Sequence, residues 1–150
     1  MMNTAVKVSG VLEIYKGNTM VYQSNNLIVN GAIEYLHNLL IGDSSLYTVA
    51  YLALGTGVSS TVGTMTGLEV EGFRKGITNL SVVSGEIVLK TLLEATDANG
   101  TWTEAGLFLS DGSLTLDTGT LFSRIKLSPV FVKDGASAMV TVWKIKFSAV

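Results

Sequence analysis

The chain has 150 residues, enough for one domain over residues 1–150 to bury about two-thirds of the surface its unfolded form exposes. Only 15% of the residues are charged, against about 25% in an average soluble domain, and the net charge is −2 with no run of Lys or Arg. This balance excludes the electrostatic footprint of a nucleic-acid binder, and the lack of cysteine excludes disulfides, thiolate nucleophiles and thiolate metal sites.

The polar start MMNTAVKVSG is not that of a signal peptide, and apolar runs such as Val49 to Leu54 fall far short of the about 18 residues a membrane span requires. From Val6 to Ile14 the apolar Val6, Val8, Leu12 and Ile14 alternate with Lys7, Ser9 and Glu13, the two-residue period of a half-buried strand. Lys16-Gly17-Asn18 supplies turn chemistry, and TMVYQ reads as the returning strand of a hairpin. A helix is predicted over NGAIEYLHNLLIG. There Asn30 is placed to cap the first-turn amides, Glu34 lies near the positive end of the dipole, and Gly42 suits the stop. Ile33, Leu36, Leu39 and Leu40 form its apolar face, which is expected to lie across a sheet. Between 55 and 67, GTGVSSTVGTMTG loses all periodicity and is expected to form a long exposed loop. Further strands are predicted at about 47–54, 77–83, 86–94, 102–109, 119–127 and 138–147, with turns rich in Gly, Asp and Asn between most of them. In the last, Met139, Thr141, Trp143, Ile145 and Phe147 share a face opposite Val140, Val142, Lys144 and Lys146. Many short strands, one helix and no strand–helix alternation predict a mainly β fold, an antiparallel β-sandwich with one amphipathic helix; a jelly-roll-like or barrel variant is equally consistent.

Chemical motifs are sparse. The Gly-rich loop lacks the lysine and following helix of a phosphate cradle, and the lone His37, on the helix flank, assembles neither a metal cage nor a serine triad. DANG at 97–100 and SDGS at 110–113 fail the order of a calcium loop and read as turns. Glu69 with Glu71, and Glu86 with Glu94, are the acid pairs that a glycoside-cleaving site would need, and each fits an exposed sheet face equally well. Glu104 and Arg124 sit inside apolar runs of successive strands. A structural ion pair that orients those strands is the favoured reading, and an Arg–carboxylate ligand site is the alternative. No cofactor or metal is expected.

NNLIVNGAIEYLHNLLIG, YLALGTGVSSTVGTMTGLEVEGFRKGI, TWTEAGLFL, LFSRIKLSPV and VTVWKIKF, in this order, resemble a widespread family of small bacteriophage structural proteins that decorate heads or belong to tails and fibres. The likeness covers nearly all of the chain after about Asn25; the loop after ALGTG departs from it, having neither the proline nor the alanine often found there. The resemblance implies a non-enzymatic virion component located in the phage particle and acting through multivalent assembly. Low charge leads independently to self-association. The expected partners are copies of the chain and a major capsid or tail protein, with no nucleic acid and no membrane. A capsid decoration or cement subunit is the leading expectation. A tail, baseplate or fibre component is the alternative, as is a receptor- or carbohydrate-binding adhesin, for which Trp102 is the tryptophan nearest a loop. Contacts are expected through Gly55, Thr56, Gly57, Val58 and Met65 of the long loop, with the N-terminal hairpin as a second surface.

Overall fold

The computed structural model describes residues 5–42 and 46–150; Met1 to Thr4, part of the polar start, lie outside the described residues. Among those described, one helix, α1 (Asn30–Leu40), accompanies nine strands: β1 (Val6–Lys16), β2 (Thr19–Ile28), β3 (Val49–Gly55), β4 (Glu71–Gly76), β5 (Asn79–Val83), β6 (Glu86–Leu93), β7 (Gly100–Leu109), β8 (Leu121–Lys133) and β9 (Met139–Ala149). They form a single antiparallel sheet in the order β4-β3-β7-β8-β2-β1-β9-β6-β5. The helix is too short to cross a membrane.

The mainly β, antiparallel expectation holds, but the sandwich does not: the sheet is one strongly curled half-barrel. Continuity is carried by β2. Its outer length pairs with β1, as in Ile14 with Tyr22 and Gly10 with Asn26, and its last two residues cross over to β8, Leu27 opposite Arg124 and Ile28 opposite Ser123. Ser123 Oγ donates to Leu27 O at 3.0 Å and is also bonded by the Asn26 amide, while Val29 N donates to Phe122 O at 3.2 Å. The curl brings the inward residues of both halves together. Leu12, Ile14, Leu89, Leu93 and Trp143 from one side pack with Leu52, Leu54, Leu107, Leu109 and Ile125 from the other.

The N-terminal hairpin and the last strand form as their alternation predicts, Met139, Thr141, Trp143 and Ile145 being buried while Phe147 at the strand's end is exposed. β8 runs beyond Leu127 to Lys133. Pro129 is tolerated because pairing with β7 is irregular there: Lys126 faces Glu104 and the next recorded pair is Phe131 with Trp102. β4 has no counterpart among the predicted strands.

The helix is turned differently from its sequence-assigned face. Val29 is the N-cap, with no side-chain cap bond; Asn30 instead donates its N–H to Gly63 O at 2.8 Å. Ala32 is buried and Tyr35 packs on the core, whereas Ile33, Leu39, Leu40 and the following Ile41 are exposed, Leu40 at 85%. Tyr35 Oη bonds both N and O of Tyr47, tying the helix to the strand entry and fixing its rotation. Substitution distinguishes the two faces. Ala32→Leu overfills a closed contact and is expected to destabilise by about 1–3 kcal/mol, while Leu40→Lys changes stability by less than about 0.5 kcal/mol, both read from urea unfolding midpoints.

Candidate functional site

The β4-β3-β7-β8 half is covered on both faces, which explains why Ala105 to Leu109 reads as a continuous apolar run. On the face away from the main core, Ala53, Phe108 and Leu121 form a second cluster with Val29, Leu68, Tyr51 and Met65. The long loop after β3 closes over this face.

Glu104 and Arg124 lie there, fully buried, in adjacent strands. Register places Arg124 opposite Gly106, one step diagonal from Glu104. Arg124 Nε donates to Glu104 Oε2 at 2.9 Å; Nη2 is 2.8 Å from the same oxygen without an aligned hydrogen bond. The carboxylate accepts three backbone N–H groups as well, from Gly57 at 2.9 Å and Val70 at 2.7 Å on Oε1 and from Glu69 at 3.0 Å on Oε2. Arg124 Nη1 donates to Ser59 O at 3.0 Å and to Thr61 Oγ1 at 2.8 Å. The pair therefore holds both ends of the loop. With four donors on Glu104, its acceptor positions are filled and none remains for a ligand. The glycines of ALGTG follow from this: a Cβ at Gly55 or Gly57 would stand 2.5 or 2.6 Å from Glu104 Oε1. Of the expected contact residues, Gly55 and Gly57 are buried, Met65 is partly buried on the second cluster, and Thr56 and Val58 are exposed.

A second buried pair, which the sequence patterns did not reveal, lies on the same face. Between Leu54/Phe73 and Gly55/Glu71 the ladder takes one step on β3 and two on β4, so Gly72 is the extra residue of a bulge. That bulge turns Glu71 to the same side as Arg74. Arg74 Nε and Nη2 donate to the two oxygens of Glu71 at 2.6 and 3.0 Å, and its guanidinium lies 4.1 Å over the Phe108 ring. Nη1 donates to Ser113 O at 3.0 Å and Thr118 O at 2.7 Å, while Glu71 Oε2 accepts Asp117 N at 2.9 Å. Each pair thus grips one loop by the same means, carboxylate to amides and guanidinium to carbonyls. The glycine inside E-G-F-R was the available signal.

A third anchor is Lys133, buried at 1% exposure, whose Nζ donates to Asn99 Oδ1 at 2.9 Å and Ala95 O at 3.2 Å. Asp97 accepts from Lys75 and, at 2.9 Å, from Glu94 N. DANG is accordingly a turn whose oxygens are taken by the chain's own lysines, and in SDGS Asp111 accepts both N and Oγ1 of Thr120 at 2.9 and 2.6 Å. The acids of each pair go to different surroundings: Glu69 accepts Ser59 N at 3.3 Å. Glu71 is committed to Arg74, and Glu86 and Glu94 stand eight residues apart along β6 and its exit, about 26 Å at strand rise. His37 is exposed on the helix. Trp102 is partly buried, donating Nε1–H to Ala98 O at 2.8 Å and packing on Phe73. Tyr51 joins the second cluster; Tyr47 is paired with Tyr35 at the surface. No protein-family model, curated protein or solved structure matched the chain.

Arg124→Met leaves a buried carboxylate without its counter-charge and is expected to lower stability by about 3–5 kcal/mol in urea unfolding, with new protease cleavage inside residues 56–70. The double variant with Glu104→Gln should lose less than the sum of the two single variants. The hydrogen bond from Lys75, then that from Glu94 N, holds the Asp97 carboxyl below its usual range. The folded state therefore favours the charged form. Its contribution is complete above the unfolded value of about 3.9 and fades as pH falls through the lower folded value. Asp97→Asn is expected to be less stable than the parent at pH 7, the difference closing below about pH 3.9 when unfolding midpoints are compared across pH.

Proposed function

We propose that the chain is a homo-oligomeric structural protein of a bacteriophage virion, most simply a capsid decoration or cement subunit. The observation that carries this reading is the outward turn of the helix's apolar stripe. Ile33, Leu39, Leu40 and Ile41 are exposed, and Leu46 beyond them is 83% exposed. Fully burying an aliphatic side chain of this kind is worth about 1.5–3 kcal/mol, and contiguous exposed apolar surface marks places where another molecule sits. Val58 and Val62 add apolar surface on the loop that follows ALGTG, whose ends are fixed by Glu104 and Arg124. A pre-ordered loop loses little conformational entropy on contact.

The ordered motif likeness to phage structural proteins supports the virion setting, and the commitment of Glu104, Arg124, Glu71 and Arg74 to loop anchoring supports a scaffold role. The tail position is resolved by where the subunit is found. Sedimentation and native mass measurement from micromolar to near-millimolar protein should give multiples of 15.9 kDa, and gold-labelled antibody should decorate phage heads. Leu40→Glu combined with Ile41→Glu should weaken assembly without lowering the unfolding midpoint. A single 15.9 kDa species at every concentration, with no label on particles, overturns the proposal.

A further inference from the structure

The two edges of the sheet are built differently. β4 carries Lys75 and is distorted by the Gly72 bulge, both devices that discourage another strand from pairing. β5, NLSVV, has no charge, no proline and no recorded register break. Its substantial neighbour is β6 alone, and Leu80, Val82 and Val83 are 50%, 73% and 56% exposed. Such an edge presents free backbone groups beside uncovered apolar side chains.

We infer that β5 is a docking edge for a second copy of this chain, the two strands pairing antiparallel about a two-fold axis at Ser81. The inference rests on the self-assembly reading above and adds to the helix stripe a second surface through which copies meet. Val83 and Glu86 flank a two-residue turn in which Ser84 and Gly85 have φ of 51° and 79°, the hairpin type that closes on a hydrogen-bonded pair. Alternation then directs the N–H and C=O groups of Asn79, Ser81 and Val83 to β6 and those of Leu80 and Val82 outward. The two-fold register sets Leu80 against Val82 of the second copy, and Val82 against its Leu80, so these outward groups satisfy each other. Ser81 meets Ser81 at the axis.

Side chains agree with this register on both faces. Toward the core side, each row becomes wholly apolar: Leu89 and Leu80, then Val82 and Ile87 of the second copy. On the other face, Lys90 and Asn79 share a row with Val83 and Glu86 of the second copy, so each lysine row ends in an acid and no like charges oppose. That face also carries the open groove of about 470 Å³ lined by Tyr15, Ser81, Val88, Val140 and Val142, which the pairing makes continuous between copies.

The test is a set of single substitutions read by sedimentation. Val82→Pro removes an outward N–H and leaves the β5–β6 ladder intact, and Val82→Lys installs an edge charge. Both are expected to reduce the wild-type assembly to half its mass or less with an unchanged unfolding midpoint. Ser81→Cys, the sole cysteine in the chain, should form a disulfide dimer under mild oxidation, because facing non-hydrogen-bonded residues lie within disulfide reach. An oligomer that survives both Val82 variants, with Ser81→Cys remaining reduced, overturns the second-copy edge and leaves the assembly reading standing. A wild-type chain that is a lone subunit throughout overturns both.

Discussion

The buried contact between Glu104 and Arg124 is the constraint on which this half of the sheet depends. Loop 56–70 carries Met65 and Leu68 onto the second apolar cluster, yet it has no regular backbone ladder of its own. Its buried amide at Gly57 would be unsatisfied without an acceptor, those of Glu69 and Val70 converge on the same carboxylate, and a buried acceptor with a full negative charge requires a counter-charge beside it. Arg124 supplies it and also takes up Ser59 O. Removing either residue therefore disturbs the loop, the second cluster and the β7–β8 pairing together. Glu71 and Arg74 repeat the solution one loop away. Rows of small residues make both possible: Gly55 separates Glu71 from Glu104, and Ala53 with Gly106 separates Arg74 from Arg124.

Curl and continuity have a related cause. β2 ends its pairing with β1 near Asn26 and gives two residues to β8, a narrow seam reinforced by the Ser123 hydroxyl. Had those last residues stayed with β1, two sheets facing across a core would have resulted, which is the sandwich that short alternating strands suggest. A two-residue handover leaves no trace in periodicity, because Leu27 and Ile28 belong to an apolar run under either arrangement.

The legible parts of the fold were those with a local cause. Alternation in Val6 to Ile14 and Met139 to Ile145 gave correct strands, and Lys16-Gly17-Asn18 gave the hairpin turn. The Glu104–Arg124 pair was legible as charge inside apolar strands, though its grip on three loop amides was not, since a loop 47 residues away in sequence supplies Gly57. The Glu71–Arg74 pair was hidden by the bulge: without Gly72 as an extra residue, residues three apart in a strand face opposite ways. The helix was assigned to the right residues with the wrong face inward. Amphipathicity reports that an apolar stripe exists, and the small Ala32 together with the Tyr35 hydroxyl decides which side meets the sheet.

Where the charges reside bears on how the molecule behaves among copies of itself. Of 10 lysines and arginines, Arg74, Arg124 and Lys133 are buried, and of 12 acids Glu13, Glu71 and Glu104 are buried. A chain already poor in charge thus devotes part of it to pinning loops; the buried charges cancel, so the exterior keeps the small net charge of −2 with fewer charged groups on it. Among the exposed apolar residues are those of the outward helix stripe and of the β5 edge, while the opposite edge keeps Lys75 and its bulge. The two edges therefore differ in kind: one is guarded against strand addition by a charge and a bulge, and the other carries neither.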